Sequence, residues 1–209
     1  MEKHIYFVRH GQTDSNVDRT YRGRDAQLTD TGREQAVAVA ERVAKLNVEA
    51  LITSDFIRAK NTATIISEKI GVTPEEHSIF GEWIEPEHLL GKSFDDPDAK
   101  AVREAIHGSD DPEFRHSTEE NFAEMKARAI ECYEFLKQHP ASRICVISHL
   151  GFLRVLAGVA LLDASFGKAQ YSSLFRHLEG ENTGITYVRF DDKKKRWRLV
   201  TWNDQSHLG

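Results

Sequence analysis

Two histidines sit just past apolar, strand-like runs. His10 follows Ile5-Tyr6-Phe7-Val8 and Arg9, and His149 follows Ile144-Cys145-Val146-Ile147 and Ser148. Parallel strands that end together would bring both imidazoles to one crevice beyond the carboxyl ends of the strands, where open α/β sheets bind ligands. Arg9 adjoins the first histidine, and Arg58 comes just after the short apolar run Ala50-Leu51-Ile52-Thr53. Two guanidinium groups facing one crevice repel each other unless an anion lies between them, and guanidinium matches phosphoryl oxygens bidentately. The pattern therefore points to phosphoryl chemistry. Asn16 and the first amides of helices starting near Arg58 and Leu150 are candidate neutral donors to the same oxygens. Arg22 and Gly23 are further candidates over the phosphate, a plain loop being the other reading.

A Cys/His cluster or an H-x-x-x-H spacing is missing, and arginines beside a cation would repel it, so the residues do not suggest a metal. Without one, a neutral imidazole can attack phosphorus directly. Nearby arginine charge disfavours imidazolium and keeps one histidine unprotonated, while the other can carry a proton and stabilise the equatorial oxygens. The leaving alkoxide also needs a proton. Glu82, among Phe80, Gly81 and Trp83, is the leading candidate to supply it, with Glu85 and Glu87 as rivals.

The elements that must position these groups can be read around them. A polar stretch from Gly11 to Thr31 reads as a loop wrapping a site. A helix then opens near Thr31 with Glu34 as a capping box and an apolar stripe through Ala36, Val37, Ala40, Val43 and Ala44. Strand Ala50 to Thr53 leads into a helix that ends at Gly71. Alternating strands and helices in this order imply parallel pairing. Between Phe80 and Ser117 the periodicity weakens and prolines gather, which suggests an excursion covering a pocket, with a short helix over Ala99 to Ile106. Ser117-Thr118-Glu119-Glu120 starts a long helix that stops before Pro140. Strand Ile144 to Ile147, a helix from Phe152 to Leu162, and a hairpin of Gly184 to Phe190 with Trp197 to Trp202 complete the chain.

Composition narrows the function classes. At 209 residues the chain reads as a single domain, residues 1–209. A net charge of −5 argues against a nucleic-acid surface, and Lys193-Lys194-Lys195-Arg196 reads as a solvated hairpin turn. No apolar run approaches the length of a membrane span, and the four apolar residues after His4 are too few for a secretory leader, so a cytoplasmic protein is expected. Cys132 and Cys145 read as packing residues. The remaining histidines read as surface or packing residues, and Trp83, Trp197 and Trp202 as core or rim aromatics.

Taken together, these residues resemble the histidine phosphatase superfamily, the phosphoglycerate-mutase-like branch (branch 1). Arg9-His10-Gly11-Gln12-Thr13-Asp14-Ser15-Asn16 matches its opening R-H-G-[EQ]-[ST]-x-x-N. Asp25, Leu28, Thr29, Gly32, Gln35 and Ala36 match D-x-x-L-T-x-x-G-x-x-Q-A. Ser54, Arg58, Ala59, Thr62 and Ala63 match S-x-x-x-R-A-x-x-T-A, and Ser148, His149 and Gly151 match S-H-x-G. The resemblance runs from the first strand to about Arg154. It implies a three-layer α/β/α sandwich with a mainly parallel sheet, a modest pocket-covering insertion and a C-terminal β-hairpin. It also implies that His10 is the phosphorylated nucleophile, that Arg9, Arg58 and His149 hold the phosphate, and that Glu82 lies where the family's proton donor lies. Two departures stand out: the surroundings of Glu82 match the family's E-x-x-x-G-x-W-E-G only loosely, and Leu150 replaces a common glycine. The expected activity is hydrolysis of a small phosphorylated metabolite with no cofactor. Mutase-type transfer is the alternative, and a silent phosphate-binding or scaffolding domain is the third reading.

Overall fold

A computed structural model describes residues 1–209. Six strands form one sheet: β1 (Lys3–Arg9), β2 (Ala50–Thr53), β3 (Pro74–Glu76), β4 (Arg143–Ser148), β5 (Ile185–Asp191) and β6 (Arg196–Asp204). Their order is β3-β2-β4-β1-β5-β6. The first four in that row are parallel, and β5 and β6 run antiparallel as the expected hairpin. Pairing of Arg9 with Ser148 and of Thr53 with Ile147 ends the three central strands within about one residue of each other. That register sets His10 and His149 side by side.

The helices are α1 (Asp14–Asp18), α2 (Asp30–Ala44), α3 (Ile57–Ile70), α4 (Pro97–Gly108), α5 (Phe122–Gln138), α6 (Leu150–Leu162) and α7 (Lys168–His177). Because the central strands are buried on both faces, their middle residues are apolar, and alternate residues feed two cores. One face, with Tyr6, Val8, Leu51, Cys145 and Ile147, packs on α2 and α3 through Val39, Val43, Ala63 and Ile66. The other, with Phe7, Ile52 and Val146, packs on α5 and α6 through Met125, Leu136, Phe152 and Leu156. Helix, sheet and helix thus stack as the α/β/α sandwich expected. No helix is long and apolar enough to cross a membrane.

Several boundaries differ from the sequence reading. Helix α2 is capped by Thr29, whose side chain accepts the Gly32 N–H, so it starts two residues before the expected cap at Thr31. Helix α5 is capped by Asn121 in a box with Glu124, and not by Ser117 or Thr118. The reason lies in Glu119, whose carboxylate accepts the His116 and Ser117 N–H groups and holds that stretch as a turn. Helices α1 and α7 and strand β3 were not anticipated, because each is short or weakly patterned.

The excursion carries its own small core, Tyr21, Leu89, Ala99, Val102 and Ile106, beneath α4. Its far end rests on α7, where Ser172 Oγ donates to the His107 carbonyl at 3.1 Å. The His107 ring stacks on Phe175 at 3.9 Å with both ring nitrogens buried and unpartnered. Burial, reinforced by Lys168 and Arg103, pulls its pKa to about 4. The unfolded chain protonates this group near pH 6.5 and the folded chain does not, so stability is lost as pH falls from about 6.5 towards 4. His107→Phe keeps the stacking and removes the proton. It is expected to gain on the order of 1–2 kcal/mol over the parent at about pH 5 relative to its effect at about pH 7.5. Urea denaturation at the two values checks this, and equal effects at both would refute it.

Candidate active site

His10 is the first residue past β1, its backbone N–H donating to the Ser148 carbonyl at 3.1 Å. The ring is buried, and Nδ1 lies 2.7 Å from the Gly11 carbonyl. A carbonyl only accepts, so Nδ1 carries the proton and Nε2 keeps its lone pair. Arg58 Nε donates to that Nε2 at 3.1 Å, which fixes the same tautomer from the other side of the ring. The Gly11 carbonyl is held in turn. A Cβ on Gly11 would overlap the Gly32 carbonyl oxygen, so only glycine lets this turn press against the start of α2. The Gly11 N–H donates to Thr62 Oγ1 at 3.1 Å, and Thr62 donates onward to the Arg58 carbonyl at 2.8 Å.

Arg58 opens α3 and is itself buried, with Nη1 donating to the Gly23 carbonyl at 2.6 Å and its guanidinium 4.7 Å from the Phe56 ring centroid. Gly23 adopts a left-handed φ of 57°, which orients that carbonyl. Arg9 donates through Nη1 to the Gly180 carbonyl at 2.6 Å, and its Nε is buried without a partner. Burial pulls Arg9 down to about 10 against the opposing pull of Glu82, so it stays charged at neutral pH. Burial first, then Arg58 and Arg9, hold the His10 pKa well below 6.5.

The His149 ring centroid is 5.2 Å from that of His10 and 4.7 Å from that of Phe56. Its Nε2 pairs with Ser54 Oγ at 2.7 Å, and its Nδ1 is buried without a partner. The same two causes, burial and the arginine charges, keep its pKa well below 6.5 as well. The sequence reading gave one histidine a proton. The structure makes both neutral at pH 7, because neither ring has an acid beside it to repay the loss of water.

A cavity of about 600 Å³ opens over this group, lined by Arg9, His10, Asn16, Arg58, Glu82 and Leu150 among others. His149 is not on its wall. Asn16 closes a capping box with Thr13, and its Oδ1 also accepts from Asn182 Nδ2 at 3.2 Å. Asn182 donates as well to the His10 carbonyl at 3.0 Å, a role that no motif signals. Arg22 also lines the cavity, but its guanidinium pairs with Asp14 at 3.0 Å and Asp18 at 2.6 Å.

Glu82 sits beneath the N-terminus of α6. The residue before that helix is His149, which makes no side-chain cap. Glu82 supplies one from a distance of 69 residues along the chain: Oε2 accepts the Gly151 N–H at 3.1 Å, and Oε1 accepts those of Phe152 at 2.9 Å and Trp83 at 3.0 Å. The early α6 amides expected to face a phosphate are thus partly taken by a carboxylate. Glu85 also lines the cavity, and burial together with the Glu82 charge pushes its carboxyl up to about 8. Glu87 lines the same cavity.

Comparison with known proteins identifies the family. A family model described as histidine phosphatase superfamily (branch 1) matches residues 5–205. A probable phosphoglycerate mutase GpmB of Klebsiella pneumoniae is 30% identical over 98% of this chain and 94% of its own length. A metal-independent phosphoserine phosphatase of Arabidopsis thaliana is 29% identical over 98% of this chain and 82% of its own. Among solved structures, a mycobacterial glucosyl-3-phosphoglycerate phosphatase in complex with VO3 superposes with a TM-score of 0.80 at 27% identity, covering 97% of this chain and 100% of that one. From its first strand to its last, this chain belongs to the histidine phosphatase superfamily, branch 1.

Proposed function

We propose that the protein is a metal-independent phosphomonoesterase that works through a phosphohistidine at His10. The observation that carries this reading is the proton position: Nδ1 is spent on the Gly11 carbonyl, which leaves Nε2 as the nucleophile against the Arg58 guanidinium, with the Arg9 charge within electrostatic reach. An arriving phosphoryl group is a stronger acceptor for Arg58 than a neutral imidazole nitrogen. It draws the guanidinium onto its own oxygens and frees the Nε2 lone pair. Arg9 supplies the second cation. Ser54 Oγ also accepts the Phe56 N–H, at 3.4 Å. Donation of its hydroxyl proton to His149 Nε2 places the other ring proton on Nδ1, the ring nitrogen left without a partner in the protein.

In the first step Nε2 bonds to phosphorus, the ester P–O bond breaks, and the leaving oxygen takes a proton from Glu82. In the second, water attacks the phosphohistidine, its proton returns to Glu82, and phosphate leaves with His10 restored. Glu82 suits this role because it lines the same cavity as His10, Arg9 and Arg58. Mutase-type transfer uses the same first step and differs in returning the phosphoryl group to a second hydroxyl. Product analysis with 3-phosphoglycerate separates the two, since the 2-isomer without free phosphate would overturn the hydrolytic reading.

Replacing His10 with Ala is expected to lower kcat at least about 10³-fold, the scale on which loss of a nucleophile acts. Rapid acid-free quenching with a ³²P-labelled ester should trap an acid-labile adduct on the parent protein and none on the variant. Turnover by His10→Ala at the parent rate would sink the proposal. Glu82→Gln is expected to slow hydrolysis of alkyl phosphates by about 10²- to 10⁴-fold. Its effect on p-nitrophenyl phosphate, whose leaving group needs no proton, should be much smaller. A uniform loss across both esters would remove Glu82 from the acid role.

A further inference from the structure

Beyond the phosphate cradle, the charged residues on the cavity wall are not balanced. Arg22 is neutralised by Asp14 and Asp18. Arg24 is paired with Asp55 and stacked 4.7 Å from the Phe56 ring centroid. Arg9 and Arg58 belong to the phosphoryl group. No cation on this wall is therefore left over for a second anion. The acids behave differently. Glu85 and Glu87 line the cavity, and neither side chain makes a hydrogen bond or an ion pair with the protein. Tyr21, Trp83 and Phe94 share that wall, and aromatic surface keeps the local dielectric low, so an unpaired carboxyl discriminates strongly between incoming charges.

We infer that the site selects phosphomonoesters whose alcohol carries hydroxyl or ammonium donors and no carboxylate, with Glu85 as the residue that reads the alcohol. This rests on the phosphatase reading of the same site. Glu85 lines the same cavity as Arg58, so a group attached to a phosphate held at Arg58 has Glu85 within the space it occupies. A hydroxyl or ammonium there finds an acceptor otherwise without a partner. A carboxylate finds Glu85 and Glu87, and once these are ionised a site that opposes like charges excludes it. Burial first, and the Glu82 charge second, push Glu85 up to about 8 against the pull of Arg58 and Arg103, so it opposes a carboxylate in full only above that pH, while an ammonium ligand would draw the proton off it at lower pH.

Two pairs of primary-alcohol esters differ essentially by one carboxylate: phosphoethanolamine against phosphoserine, and glycerol 3-phosphate against 3-phosphoglycerate. At about pH 9, where Glu85 is ionised, the carboxylate-free member of each pair is expected to show about tenfold higher kcat/KM, the discrimination that a single opposed charge supplies, and the ratio should fall towards about pH 7 as Glu85 takes up its proton. Dissociation constants for the same four esters, measured by calorimetry on His10→Ala, should show the same order without turnover. Glu85→Gln should shrink both ratios, and Glu85→Lys should reverse them. Ratios of one or below in both pairs, or ratios untouched by Glu85→Gln, would overturn the inference. Intact binding ratios with no phosphate released from any ester would overturn the phosphatase reading and leave the selectivity standing.

Discussion

The chemistry depends on a single hydrogen bond, from His10 Nδ1 to the carbonyl of the next residue. If that proton moved to Nε2, the ring would present a donor to the phosphate cradle in place of a nucleophile, whatever else stayed fixed. Much of the surrounding fold keeps this carbonyl still. The β1–β4 register sets the depth at which His10 leaves the sheet. The Gly11–Gly32 contact fixes the turn against α2, and Thr62 ties the turn to α3. Asn182 holds the His10 carbonyl from the C-terminal side. Four separate segments thus converge on the two residues His10 and Gly11, which explains why two glycines and a threonine stand in the motifs beside the charged residues.

A second constraint links the cover to the sheet. Helix α6 begins at the strand end that delivers His149, and a histidine at that position leaves the first amides unsatisfied. Buried backbone donors cost on the order of 1–3 kcal/mol each when unpaired, which is enough to fray a helix end. Glu82 answers two of them and so anchors the segment that enters the excursion. The candidate acid is therefore also a structural cap. Arg128 reinforces the same stretch by donating to the Ile79 and Gly81 carbonyls, both at 2.9 Å, while paired with Glu120. Position and chemistry of Glu82 cannot be changed independently, since a shorter side chain at that site would release α6.

Legibility followed the strength of local signals. Strands β1, β2 and β4 and the hairpin were readable because both-face burial or alternation leaves long apolar runs. The phosphate cradle was readable because its members directly follow those strands in sequence. What escaped depends on tertiary contact. Asn182 lies in an irregular link before β5, and its two hydrogen bonds reach residues 172 and 166 positions away. The start of α5 was misplaced because Glu119 folds back on His116 and Ser117, a local turn that competes with the helix the same residues could begin. The neutrality of His149 was missed for a different reason: sequence places a histidine beside arginines, but only packing shows that water is excluded from it.

The charges of the site make sense only as a set. Two buried guanidinium groups, two buried imidazoles held neutral and an unpartnered Arg9 Nε amount to a cradle with positive potential and unfilled donors. At an effective dielectric near 20, a pair of unit charges about 4 Å apart interacts by about 4 kcal/mol, comparable with the margin that keeps a domain folded. Such a cradle is tolerable because each arginine is anchored to a backbone carbonyl, Gly180 for Arg9 and Gly23 for Arg58, and because Glu82 lies close to both. The carbonyls orient the guanidinium groups without neutralising them. A carboxylate in direct contact would have done both, and would have competed with the phosphate for the same donors. Holding cations with dipoles while keeping Glu82 occupied at a helix terminus leaves the donors available to a phosphoryl group.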